Sequence, residues 1–149
     1  VIGYNYRLSN ISAGIGRGQM KILDSHIARR REINQWYRSL LAEIEGVHFQ
    51  EEPDARYFSN YWLTALTIKS EKCGVSADSL RKSLMEDNIE SRPLWKPMHL
   101  QPVFAYAPAI IDGTSEELFG SGLCLPSGSN LGEADLTRIE RIIRKMFKI

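Results

Sequence analysis

No run in this 149-residue sequence approaches the roughly 20 consecutive apolar residues needed to cross a bilayer. An excess of one charge is missing too. Nineteen basic side chains face 18 acidic ones, a net charge of +1. That balance offers no general attraction to nucleic acid or to an anionic membrane surface, so neither is an expected partner. Cysteine is scarce: Cys73 and Cys124 lie far apart, without metal-binding spacing, and are expected as free buried thiols in a reducing cytosol. Three scattered histidines, His26, His48 and His99, form no H-x-x-x-H pair, so no metal site is expected. Gly120-Ser121-Gly122 is not G-x-S-x-G, and no carboxylate pair stands apart from the charged helix faces. Gly14-Ile15-Gly16-Arg17-Gly18 lacks the third glycine of a dinucleotide loop, because Gln19 occupies that place, and no strand precedes it. These glycines instead predict close approach of another backbone, since each costs a helix up to about 1 kcal/mol. An initiator methionine is also absent. The chain opens on Val1-Ile2 and is expected to be a piece of something longer.

The length suits one domain with a core of its own. Apolar residues at spacings of three and four predict helix from Ser9 to Glu45, with Ser9 or Asn10 as its N-cap. A break is expected near Asp24-Ser25, where the apolar stripe changes phase, and Gly46 is expected as the C-terminal stop. Arg29-Arg30-Arg31 points in three directions around a helix and predicts a solvated face. Val47–Gln50 is a short strand candidate, and Tyr61–Ile68, rich in aromatic and β-branched residues, is the expected central strand. Ser76 caps a further helix, with Leu80, Leu84 and Met85 facing inward and Asn88 ending it. Ile89–Arg92 reads as strand, Pro102–Tyr106 as a short helix or turn, and Ser115–Phe119 as the start of a short helix. Gly122–Leu125 reads as a strand halted by Pro126. Glu133–Phe147 is an amphipathic helix with Leu136, Ile139, Ile142, Ile143 and Met146 inward. The sum is α+β: a small, mostly antiparallel sheet of three to four short strands packed with helices.

Two stretches exceed what folding requires. Asn5, Tyr6, Arg7, Ser9 and Asn10 crowd hydrogen-bonding groups into six residues. Capping explains Ser9 and Asn10, whereas the amide of Asn5 and the guanidinium of Arg7 suit an anionic oxygen such as a phosphate. In Arg92-Pro93-Leu94-Trp95-Lys96-Pro97-Met98-His99, the two prolines stiffen an irregular segment. That segment carries Arg92, Trp95, Lys96 and His99, side chains typical of a binding loop. A surface loop pinned by Trp95 in the core is the structural alternative.

Four segments together resemble the C-terminal part of the DegT/DnrJ/StrS family of sugar aminotransferases. They are Gly3–Met20 with Ala28–Tyr37, Arg92–Phe104, and Leu123–Leu136. The resemblance covers essentially the whole chain, and Trp95-Lys96-Pro97-Met98-His99 looks most like members acting on UDP-linked 4-keto-6-deoxy amino sugars.

The resemblance implies the small C-terminal domain of a fold-type I enzyme that uses pyridoxal 5′-phosphate (PLP). It implies a cytoplasmic homodimer with its active site at the subunit interface. It implies transfer of an amino group from a donor such as glutamate to a keto sugar nucleotide, in polysaccharide or glycan precursor biosynthesis. Residues 1–149 would be one domain, with 1–23 as the interdomain or interface segment. By match, Asn5 would reach the neighbouring subunit's PLP phosphate with Arg7 nearby, and Arg92, Trp95, Lys96 and His99 would line the sugar-nucleotide entrance. The family's catalytic lysine belongs to the large N-terminal domain, and Lys21, Lys69, Lys96 and the other lysines here do not match it. No catalytic residue is therefore expected in this chain, which alone should be inactive. The alternative is a non-catalytic interaction or sugar-nucleotide-binding domain that kept the fold.

Overall fold

The computed structural model describes residues 3, 4 and 7–149. Asn5, singled out above, lies outside the described residues.

Helix α1 runs unbroken over Asn10–Leu40, about 46 Å at 1.5 Å per residue. The Ser9 side chain accepts from the Ser12 N–H and caps it as expected. The predicted break at Asp24-Ser25 does not occur. Ser25 turns its hydroxyl back to the Ile22 carbonyl, 2.8 Å away, and so satisfies itself within the helix instead of capping a new one. The change of phase in the apolar stripe marks a change of environment. From 10 to 25 every residue but half-buried Ala13 is exposed, including Ile11, Ile15, Met20, Ile22 and Leu23. From 33 onward the helix enters the core through Ile33 and Tyr37. A methyl group at Gly14, Gly16 or Gly18 would meet nothing within 4 Å, so the expected close approach is not made within the described chain.

Helix α1 also ends earlier than predicted, at Leu40, with Leu41 as its C-cap. Gly46 serves instead as the turn into β1 (Val47–Phe49), at φ +88°. A Cβ there would crowd the Lys69 carbonyl and the Lys72 side chain, so glycine is required on both counts.

Strand β2 is Thr64–Ile68, shorter than the predicted Tyr61–Ile68 because Tyr61 has φ +41° and turns the chain before the strand begins. A four-residue helix α2 (Ser70–Cys73), which no pattern announced, leads to α3 (Ala77–Glu86). Ser76 caps α3 reciprocally with Ser79, and Asn88 follows in the left-handed conformation. Leu80 and Leu84 are fully buried, but Met85, predicted inward, is exposed. Strand β3 is only Arg92–Pro93, and two short 3-10 turns follow at Met98–Leu100 and Pro102–Phe104. Helix α4 (Thr114–Ser121), β4 (Gly122–Leu125) and α5 (Glu133–Phe147) complete the order.

The four strands form one antiparallel sheet in the order β1-β2-β4-β3, so β2 is central, as its composition predicted. Thr64, Leu66 and Ile68 of β2 and Leu123 and Leu125 of β4 face the helices. The four apolar ones join Ile33, Tyr37, Leu80, Leu84, Ile139, Ile142 and Ile143 in a core cluster. The opposite face carries Ala65, its cross-strand partner Cys124, and Arg92, which is in register with Cys124. Strand β4 is nevertheless buried along its whole length, so something covers this second face as well.

Candidate functional site

The cover is the proline-rich loop. Leu94 sits directly on Gly122, so close that any side chain there would collide with it and with the Leu118 carbonyl. Further on, His99 Nε2 meets Glu116 Oε1 of α4 at 2.7 Å, with both side chains largely shielded. The Glu116 carboxyl is held below its usual range, first by its own backbone N–H and then by His99. Gln101 Nε2 donates to the Lys96 carbonyl at 3.2 Å and closes the loop on itself. The pin is thus Leu94, not Trp95. The Trp95 indole is 69% exposed, and Lys96 is exposed beside it.

Arg92 opens the loop as an exposed guanidinium paired with Glu90. Such a surface pair is worth little and exchanges readily for a better anion. Arg92 and Trp95 share a cavity of about 520 Å³ with Leu63, Cys124, Pro126 and Ser127, within the size range of small-molecule sites. Burial pushes the Cys124 thiol up from its ordinary value, so it is an apolar wall element rather than a thiolate. Ser91, another lining residue, has a buried hydroxyl with no hydrogen-bond partner among the described residues.

The cavity wall is fixed from the core side. Tyr37, fully buried, donates its hydroxyl to the Pro126 carbonyl at 3.0 Å. Buried Ser127 accepts from the Thr64 N–H at 2.7 Å and donates to the Leu125 carbonyl at 2.7 Å. Thr64 Oγ1 in turn accepts from Asn34 Nδ2 at 3.2 Å. These bonds tie α1, β2 and the end of β4 together behind the site.

The triple arginine, read from sequence as a solvated face, does something else. The three side chains fan out to two segments, Arg29 to one and Arg30 and Arg31 to the other. Arg29 donates to the Leu131 carbonyl at 2.8 Å, and Arg30 to the Trp62 carbonyl at 3.2 Å. Arg31 donates to the Ser59 carbonyl, pairs with Glu52 at 2.9 Å, and lies over the rings of Phe58 and Tyr61. The Glu52 carboxyl is held low by Arg31 and then by the Ser59 N–H. The loop over 51–62 is therefore strapped to α1. Trp62 at its end stands 61% exposed with its ring centroid 6.4 Å from that of Trp95. Sequence reasoning counted Trp62 as part of the central strand and missed it. The only available signal was its place beside another aromatic at the strand's start.

Of the residues singled out in the sequence, Arg92, Trp95, Lys96 and His99 come together on the one loop. Arg7 lies before α1, exposed, and does not line the cavity that Arg92 and Trp95 share. Every lysine is exposed, and none lines the cavities described. Among the described residues no cluster of potential metal ligands occurs.

A family model described as the DegT/DnrJ/EryC1/StrS aminotransferase family matches residues 1–144. The Bacillus subtilis (strain 168) protein EpsN, provisionally named a pyridoxal phosphate-dependent aminotransferase, is 43% identical over 98% of this chain. A GDP-perosamine synthase of Caulobacter vibrioides is 31% identical over 93% of it. This chain spans only 38% and 37% of those two proteins, respectively. Among solved structures, a DegT DnrJ EryC1 StrS aminotransferase from Brucella abortus superposes with a TM-score of 0.80 at 28% identity. The match covers 99% of this chain and 38% of that one.

Proposed function

Because the chain belongs to the DegT/DnrJ/EryC1/StrS aminotransferase family, we propose that residues 1–149 are the C-terminal domain of a PLP-dependent sugar-nucleotide aminotransferase. Its substrate is a keto sugar nucleotide, a UDP-linked 4-keto-6-deoxy amino sugar in the narrower reading, and the amino donor is an amino acid such as glutamate. The enzyme works as a cytoplasmic homodimer making precursors for surface polysaccharide or glycan. The observation that carries this reading is the Arg92–His99 loop. It presents Arg92 and Trp95 at a cavity of about 520 Å³, with Lys96 exposed beside Trp95, while Leu94 and His99 anchor it. A cation and an aromatic ring on a rigid support fit a nucleoside diphosphate.

The residues of this chain fit one side of a cofactor site, not all of it. Arg7 suits the PLP phosphate, with Asn5 as its companion outside the described residues. No lysine lines the cavities described above. In this reading the catalytic lysine belongs to a preceding domain, to which residues 1–23 would dock; over 7–23 every residue but half-buried Ala13 is exposed. When bound in the whole enzyme, PLP would supply the carbonyl group that takes up the donor's nitrogen and passes it on. This chain's own part is to bind the nucleotide through Arg92, Trp95 and Lys96, with His99 keeping the loop in place, and to close that side against water.

The test is binding and turnover together. The chain with PLP, glutamate and a nucleotide-linked 4-keto-6-deoxy sugar should show no amination, yet should bind UDP-linked sugar, and Arg92→Ala should bind it more weakly. Equal binding by both proteins would remove Arg92 from the site. Tighter binding of the GDP-linked sugar would overturn the UDP assignment.

A further inference from the structure

We propose that Trp62, together with Trp95, forms an aromatic platform that takes the nucleobase of the sugar nucleotide. This inference rests on the reading above and deepens it by naming what the second tryptophan does.

The backbone of Trp62 is tied on both sides. Its N–H donates to Asn60 Oδ1 at 3.0 Å, and its carbonyl accepts from Arg30 at 3.2 Å. The preceding residue, Tyr61, adopts φ +41°, an unfavourable value for a bulky side chain. Its ring lies 5.0 Å from the Arg31 guanidinium and 5.9 Å from that of Arg38. This reinforcement does not bury Trp62. It fixes a large apolar ring in water, a costly arrangement that the fold of the domain alone does not require.

What stands opposite gives the ring a purpose. Trp95 reaches the same place from the far side of the sheet, anchored through Leu94 and His99 but itself exposed. The two ring centroids are 6.4 Å apart with planes at 41°. At that spacing a third planar ring can stack on either indole, and a modest rotation of one would sandwich it. Two cavities meet here and share Leu63, Trp95 and Cys124. One holds Trp62 and the other holds Arg92, so a base on the tryptophans leaves its diphosphate toward the guanidinium. Stacking is tolerant of base identity, since every base has a π-face. The platform therefore supplies affinity for nucleotides as a class, and the choice of base falls to polar groups around the Trp62 cavity.

Calorimetric titration of the 149-residue chain with UDP, GDP and inorganic pyrophosphate separates base from phosphate. Wild-type protein should bind both nucleotides more tightly than pyrophosphate. Trp62→Ala should weaken nucleotide binding roughly 5- to 150-fold, the loss of one base stack. It should leave pyrophosphate binding unchanged, which also reports an intact cavity. Trp62→Phe should retain nucleotide binding and Trp62→Leu should lose it. This pair decides the matter if Trp62→Ala fails to fold. Nucleotide binding unaffected by Trp62→Ala or Trp62→Leu would overturn the platform and leave the sugar-nucleotide reading standing. Failure of the wild-type chain to bind either nucleotide would overturn both.

Discussion

His99 Nε2 and Glu116 Oε1, 2.7 Å apart, join the proline-rich Arg92–His99 loop to helix α4. With Leu94 on Gly122, this contact explains how a loop with an exposed tryptophan can be stiff. His99→Ala should loosen residues 94–101 without unfolding the core, since neither partner belongs to it. Hydrogen exchange should rise in that loop and stay unchanged in β2 and α5. The Glu116 carboxyl is depressed in the folded state, so its contribution is present above the unfolded carboxylate value, about 4.3, and is lost as pH falls through the lower folded value. Loop exchange in the wild type should accordingly increase below about pH 4. Unchanged loop exchange in His99→Ala would remove the latch.

Gly122 is the other half of the anchoring. A Cβ at this position collides with Leu94 on one side and the Leu118 backbone on the other. The φ of −93° is ordinary, so only the close approach demands glycine. Gly122→Ala should cost about 1–3 kcal/mol by overpacking. Urea denaturation measures this, and the variant should also bind nucleotide more weakly through its displaced loop. A neutral change in both would mean that Leu94 has room to move.

Tyr37 joins the core to the site. Burial pushes its phenol well above its ordinary value, and its hydroxyl donates to the Pro126 carbonyl at the cavity wall. A tyrosine whose folded pKa is raised lends stability that is full below the unfolded value, near 10, and is lost as pH rises beyond it. Wild-type stability should therefore fall above about pH 10, more steeply than that of Tyr37→Phe. At neutral pH the same variant should cost about 1–3 kcal/mol, because the Pro126 carbonyl loses its donor. Parallel stability curves for the two proteins would contradict the assignment.

Much of the fold was legible because its signals are local. Helix α5 has a clean 3.6-residue stripe, α3 a serine cap and a left-handed Asn88, and β2 a dense β-branched and aromatic run. The errors arose where a residue's environment is set by distant chain. Ser25 looked like a cap and instead bonds within an exposed helix, and Gly46 looked like a helix stop and is a strand turn. Arg29–Arg31 looked solvated because sequence spacing shows only that the three diverge, not that Arg29 meets Leu131 while Arg30 and Arg31 meet the 51–62 loop. At the site, the prolines marked the Arg92–His99 loop as special. Its pairing with Trp62 depends on sheet order β2-β4-β3, which no local pattern encodes.

The central claim is that this chain is one part of a PLP enzyme whose lysine lies elsewhere. It is tested most directly by incubating the protein with PLP, reducing with borohydride, and mapping adducts by peptide mass. Scattered, sub-stoichiometric labelling of the exposed lysines is the expected result. A single stoichiometric adduct, at Lys96 for example, would mean that this chain holds a complete cofactor site and would contradict the claim.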